Sequence, residues 1–215
     1  VISSEPRSLN SIDVNSFLKL KFLNNFIHVL HQMYRLIPLR TLRRTAGVIF
    51  EEVVPSDIPK IHGIDKVIHK ANGISPGPVD GIQRPWYKHE YQDDNLLVLQ
   101  GERFIDIYCP QRKTKASFIV TPDKVYKNGK LYCDQPAMVV WPSGIFHRII
   151  SGAEGSISIN FATRNKGFDL KDNFNIYDLN TTTGEYKIIR SGYEDQPDLT
   201  YKVKDPKTLA LLHKD

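Results

Sequence analysis

Apolar residues fall at Phe17, Leu20, Leu23, Phe26, Ile27, Leu30, Met33, Tyr34 and Ile37. Steps of three and four are the helical period, so the spacing predicts one amphipathic helix over 13–37. Asp13 or Ser16 stands where a cap is needed, and Pro38 limits the far end. Residues 39–47 (LRTLRRTAG) follow as a short basic connection with room for another helical turn.

From about residue 47 the period changes. Residues 47–54 (GVIFEEVV) read as a strand, and 72–81 form a Pro/Gly-rich loop. Short apolar or alternating runs then recur up to residue 162, separated by turn signals such as Gln100-Gly101-Glu102, Asn128-Gly129 and Pro142-Ser143-Gly144. Asn-Gly takes positive φ at both positions and predicts a tight hairpin. Many short strands joined by such turns predict a mainly β chain folded as an antiparallel barrel or sandwich. Residues 174–190 read as one more hairpin and 207–215 as a short helical tail. The predicted organisation is a basic helical extension (1–46), a β-barrel (47–165), and a C-terminal hairpin and tail packing on the barrel (166–215).

A length of 215 residues suits one domain with appendages, and 40% hydrophobic with 25% charged residues argues against global disorder. No apolar run is long enough to span a membrane, and the opening VISSEPRSLN lacks the shape of a signal peptide. Cys109 and Cys133 are too few for a disulfide scaffold and read as free thiols in a reducing, cytoplasmic setting. Residues 1–50 carry seven Lys/Arg against two acids, so the whole net charge of +5 sits there and the remainder is balanced. Such an appendage suits nucleic acid, anionic lipid or an acidic partner, but is most often a solvated helix face. One helix is no helix-turn-helix, so nucleic acid is not an expected partner.

Candidate chemistry concentrates in two stretches, 81–101 and 142–151. Alternate strand residues share a face, so Tyr87 and His89 point together, as do Asp94, Leu96 and Val98. His147 opens a strand after a Pro-x-Gly turn. Two imidazoles and a carboxylate suit a divalent transition metal such as iron, manganese, nickel or zinc. His89 also reads as a buried histidine bonded to Tyr87 or Asp94, and His147 as a structural residue near its turn. Tyr87 has a second role open to it, as a general acid or base. Ile149 and Ser151, with Ser158 and Asn160, are further inward candidates. Lys88, Glu90 and Arg148 alternate outward, and His28, His31, His62 and His69 show no ligand spacing. No Gly-rich phosphate cradle or serine elbow is present.

At these positions the sequence resembles the cupin superfamily. Gly81, Tyr87, His89, Asp94 and Gly101 keep the spacing of its first motif. Pro142, Gly144, His147 and Ser151 follow the second, with Pro136 in place of its leading glycine. The resemblance covers about residues 81–151 and implies a single antiparallel, jelly-roll-like β-barrel. It implies metal ligands at His89, Asp94 and His147, and departs from the family's three-His, one-Glu set at Tyr87 and Asp94. The function it implies is a metal-dependent enzyme, a dioxygenase or a lyase/isomerase, acting on a small organic molecule in the barrel. The alternative is a metal-free binding or structural cupin. A homodimer is expected, since the apolar stripe of the N-terminal helix needs a partner.

Overall fold

The computed structural model describes residues 32–58 and 60–196. The predicted 13–37 helix lies mostly outside these residues, as does the helical tail. Its last turn is corrected: Arg35–Pro38 is a strand, β1, paired antiparallel with β11 (Ala137–Trp141). Extended backbone sends adjacent side chains to opposite faces. Leu36 therefore joins the inner core while Ile37 packs outside with Met138 and Val140. The basic connection is also strand: Arg40–Thr45 (β2) and Val48–Glu52 (β3) form a separate hairpin turning at Gly47.

The expected fold class holds. The chain is mainly β and antiparallel, in a jelly-roll-like arrangement that does not close into a barrel. Two long strands organise it, β7 (Gln92–Cys109) and β12 (Phe146–Arg164), which pair along almost their whole lengths. On its other side β7 pairs first with β11 and then with β8 (Thr114–Val120). The far side of β12 takes β6 (Trp86–Lys88), β5 (Ile74–Ser75) and β4 (Gly63–His69) in turn. Each long strand thus serves two sheet layers and bends between them.

Two glycines make that bend possible. Gly101 and Gly155 both have positive φ, and a Cβ on Gly101 would meet the Gly155 carbonyl oxygen at 2.0 Å. Only glycine lets the two backbones approach so closely. Beside them the register slips: Gln100 faces Ile157, but Val98 faces Ser158, leaving Leu99 as an extra residue. Such a bulge switches which side chains point inward.

Leu96, Val98, Ile105, Ile107, Phe118, Val120, Val139 and Trp141 fill the space between the layers. The Asn128-Gly129 hairpin joins β9 (Val125–Lys127) to β10 (Lys130–Cys133) with both turn residues at positive φ, as predicted. The 174–190 hairpin forms as β13 (Ile176–Leu179) and β14 (Tyr186–Arg190), pairing through β13 with β6. It covers a second apolar layer of Trp86, Tyr108, Phe146 and Tyr177. Beneath it lies Lys88, whose outward direction was foreseen but whose burial was not. Its ammonium pairs with Glu90 and sits over the Tyr186 ring. Among the described residues no helix is long and apolar enough to cross a membrane.

Candidate active site

A cavity of about 310 Å³ opens between the layers, at the small end of the range for ligand pockets. Tyr87, His89, Asp94, Leu96, His147, Ile149 and Asn160 all line it, as alternation predicted. Ser151 does not: its hydroxyl donates to the Lys70 carbonyl and accepts from the Gly73 N–H. Ser158 is buried away from the cavity lining.

Three of these side chains converge. His89 Nε2 stands 3.3 Å from Asp94 Oδ2, and His147 Nε2 stands 3.8 Å from the same oxygen. All three residues are buried, and their donor atoms lie within 4.8 Å of one another. Two N or O ligands held about 2.0–2.2 Å from one ion lie at most about 4.4 Å apart, so these atoms stand slightly wider than a closed two-His, one-carboxylate centre and would draw inward to hold an ion.

The surroundings aim these atoms inward. His89 Nδ1 is occupied by the backbone carbonyl of Asn173, the last residue of the short helix α1 (Leu170–Asn173), which leaves Nε2 facing the cavity. Asp94 Oδ1 accepts from Gln92 Nε2 at 2.9 Å and from Asn160 Nδ2 at 2.8 Å, which leaves Oδ2 for the two imidazoles. Asn173 Nδ2 donates to Gln92 Oε1 at 3.3 Å and ties α1 into the network. Outer partners of this kind orient metal-binding histidines and carboxylates. Trp141 packs against the His147 ring, with centroids 5.2 Å apart.

The charges follow from this geometry. Burial alone would raise Asp94, but charge attraction and hydrogen bonding from His89, with His147 and Gln92, hold it well below the usual carboxylate range. Burial alone would lower His89, but Asp94 outweighs it and raises the imidazole. His147, pushed to about 4 by burial and by the neighbouring His89 charge, is neutral at pH 7. Burial raises the Tyr87 phenol, which therefore keeps its proton. Tyr87 lies at the cavity edge, its ring centroid 5.9 Å from that of His147.

Several residues in and around the site were not anticipated. Gln92 and Asn173 carry no spacing signal. His69 was set aside for lack of ligand spacing, yet it lines the cavity, because β4 pairs with the distant β12. Arg103 also enters it, on a face that alternation from Asp94 would not have chosen.

No protein-family model matches the chain, and no curated protein sequence does. Its structure is similar to that of the WlaRB TDP-quinovose 3,4-ketoisomerase from Campylobacter jejuni, with 12% identity, 63% of this chain and 87% of that chain covered, and a TM-score of 0.44. It is similar to the sugar 3,4-ketoisomerase QdtA from Thermoanaerobacterium thermosaccharolyticum, with 14% identity, 65% and 85% covered, and a TM-score of 0.44. A dTDP-4-dehydrorhamnose 3,5-epimerase from Sulfolobus tokodaii gives 16% identity, 65% and 74% covered, and a TM-score of 0.45. Similarity this distant carries neither substrate nor reaction across.

Proposed function

We propose that the cavity is the active site of a metal-dependent lyase or isomerase acting on a small organic molecule. His89, Asp94 and His147 would hold the divalent metal, which is iron, manganese, nickel or zinc. The observation behind this reading is the convergence of three buried donor atoms, with the other polar atoms of His89 and Asp94 engaged elsewhere. When bound, such an ion polarises a substrate oxygen as a Lewis acid. Tyr87, with its proton retained, can donate a proton to a substrate in the cavity, a role that suits lyase or isomerase chemistry. Leu96, Ile149, Trp141 and Phe174 exclude water from the reacting groups.

Elemental analysis of the purified protein, alongside His89→Ala and His147→Ala, tests it. Near one metal per chain, lost in both variants, is the expected result. No metal after reconstitution with all four ions overturns it. That outcome favours a metal-free binding pocket, for which the close His89–Asp94 ion pair already provides.

The expected homodimer carries over as a proposal on a different surface. The outer face of β4 and β12 leaves Ile64 and Ile68 at 67% and 60% exposure, beside Ile157, Ile159 and Phe161. Among the described residues the β2–β3 hairpin pairs with no other strand, and it exposes Leu42, Val48, Ile49 and Phe50. A standard interface takes about 800 Å² from each partner, and exposed apolar residues of this kind are what such an interface would cover. A second copy of this chain is the occupant we propose, in a two-fold arrangement that uses the same patch on both sides.

A further inference from the structure

Arg103 is among the largest side chains in the molecule to be wholly buried, at 1% exposure. It lines the same cavity as the three converging donors. Its Nε donates to Ser156 Oγ at 3.1 Å and one Nη to the Val67 carbonyl at 3.2 Å. A guanidinium has five N–H donors, so these bonds leave several unassigned. Among the described residues Arg103 makes no ion pair. Arg148, partly buried on the neighbouring strand, is instead held by Asp106 through Nε at 3.0 Å and Nη at 2.9 Å.

A buried cation without a counter-charge is costly, and proteins seldom keep one without use for it. Burial lowers Arg103 to about 10, which leaves it charged at neutral pH. His69 stands near it on the cavity wall, and its buried Nδ1 has no hydrogen-bond partner. Burial first, then the Arg103 charge, lowers His69 to about 4, so at neutral pH it offers one ring N–H and no charge. The cavity's acids are committed elsewhere. Asp94 serves His89, His147, Gln92 and Asn160, and Asp65 accepts from Asn160 Nδ2 at 3.2 Å.

We propose that Arg103, with His69 beside it, is an oxyanion subsite that binds the carboxylate or phosphate group of the cavity's ligand. The substrate is then a small organic anion. Its charged end docks on Arg103, its apolar body lies along Leu96 and Ile149, and its reactive part lies at His89, Asp94 and His147. The placement of the reactive part rests on the function proposed above; anion binding does not.

The test uses metal-free protein in chelator, titrated calorimetrically with benzoate and with benzamide, which match in shape and differ in charge. Benzoate is expected to bind at least about tenfold more tightly, and Arg103→Gln to abolish the difference. Should Arg103→Gln not fold, Arg103→Lys replaces it: charge stays but the forked geometry goes, and about tenfold weaker benzoate binding is expected. Equal affinities for benzoate and benzamide, or benzoate binding unchanged in the variant, overturn the subsite. Competition by inorganic phosphate then shows which oxyanion fits: displacement of benzoate at lower concentration assigns a phosphate group, and failure to displace it a carboxylate. Benzoate bound only after metal loading, and unaffected by Arg103→Gln, removes the subsite but leaves the metal centre. Discrimination in chelator by a protein that takes up no metal does the reverse.

Discussion

His89 Nε2 lies 3.3 Å from Asp94 Oδ2, with both side chains buried and the remaining polar atom of each already engaged. The pair is therefore preset and has one free direction, toward His147. Asp94→Asn keeps the shape and removes the negative charge. It should abolish stoichiometric metal uptake as fully as His89→Ala does, since both remove a ligand of the only His/Asp cluster of this kind among the described residues. Elemental analysis after reconstitution checks this.

Asn160 touches no proposed metal position, yet it holds Asp94 Oδ1 at 2.8 Å and accepts the backbone N–H of Asn95 at 2.8 Å. Asn160→Ala frees the carboxylate to rotate. Metal affinity should fall by about 10- to 100-fold, the usual cost of losing an outer partner. The lost buried hydrogen bonds should cost about 1–3 kcal/mol of stability. Competition titration with a chelator and denaturant unfolding read the two effects separately.

Gly101 does not line the cavity, yet it should be among the least tolerant positions. Its φ of +71° and the 2.0 Å gap between an added Cβ and the Gly155 carbonyl leave alanine no relaxed position. Gly101→Ala should destabilise the fold by more than about 2 kcal/mol. By contrast, Gly129→Ala has open space around its Cβ and only the strain of its positive φ, so it should cost less. Thermal unfolding of the two variants gives the comparison.

The proposed dimer is tested by charge on its face. Ile64→Asp with Ile68→Asp places two carboxylates on exposed positions of β4 without touching the inner core. Light scattering should show a dimer for the unaltered chain and a monomer for the variant. A monomeric unaltered chain at high micromolar concentration sinks the proposal.

What was legible in the sequence was local. Tyr87, His89, Asp94 and His147 sit at or just beyond strand ends, close to turn residues, where a period of two and a tight turn decide direction. Arg103 was hidden because the extra residue at Leu99 and the bend at Gly101 reverse the inward parity halfway along β7. No sum of local preferences reports a bulge that exists to pair two strands about fifty residues apart. Arg35–Pro38 misled for a related reason. Ile37 fits a helical stripe with Met33 and Tyr34, but β11 offers it and Leu36 a pairing edge, and tertiary pairing outweighs a weak local preference. Asn173 and Gln92 are polar residues of ordinary type, and only the folded chain brings them to His89 and Asp94.

Acid should weaken the fold, and His69 is one cause. The unfolded imidazole titrates near 6.5, whereas burial and the Arg103 charge hold the folded one at about 4. Between those values the unfolded chain takes up a proton that the folded chain refuses, so stability falls as pH drops from 6.5 toward 4 and is retained above 6.5. His69→Gln keeps a polar side chain and removes the titration. Urea unfolding at pH 7 and pH 4.5 should show a smaller loss for the variant than for the unaltered chain. Equal losses would mean that His69 takes up its proton in the folded state as readily as in the unfolded one.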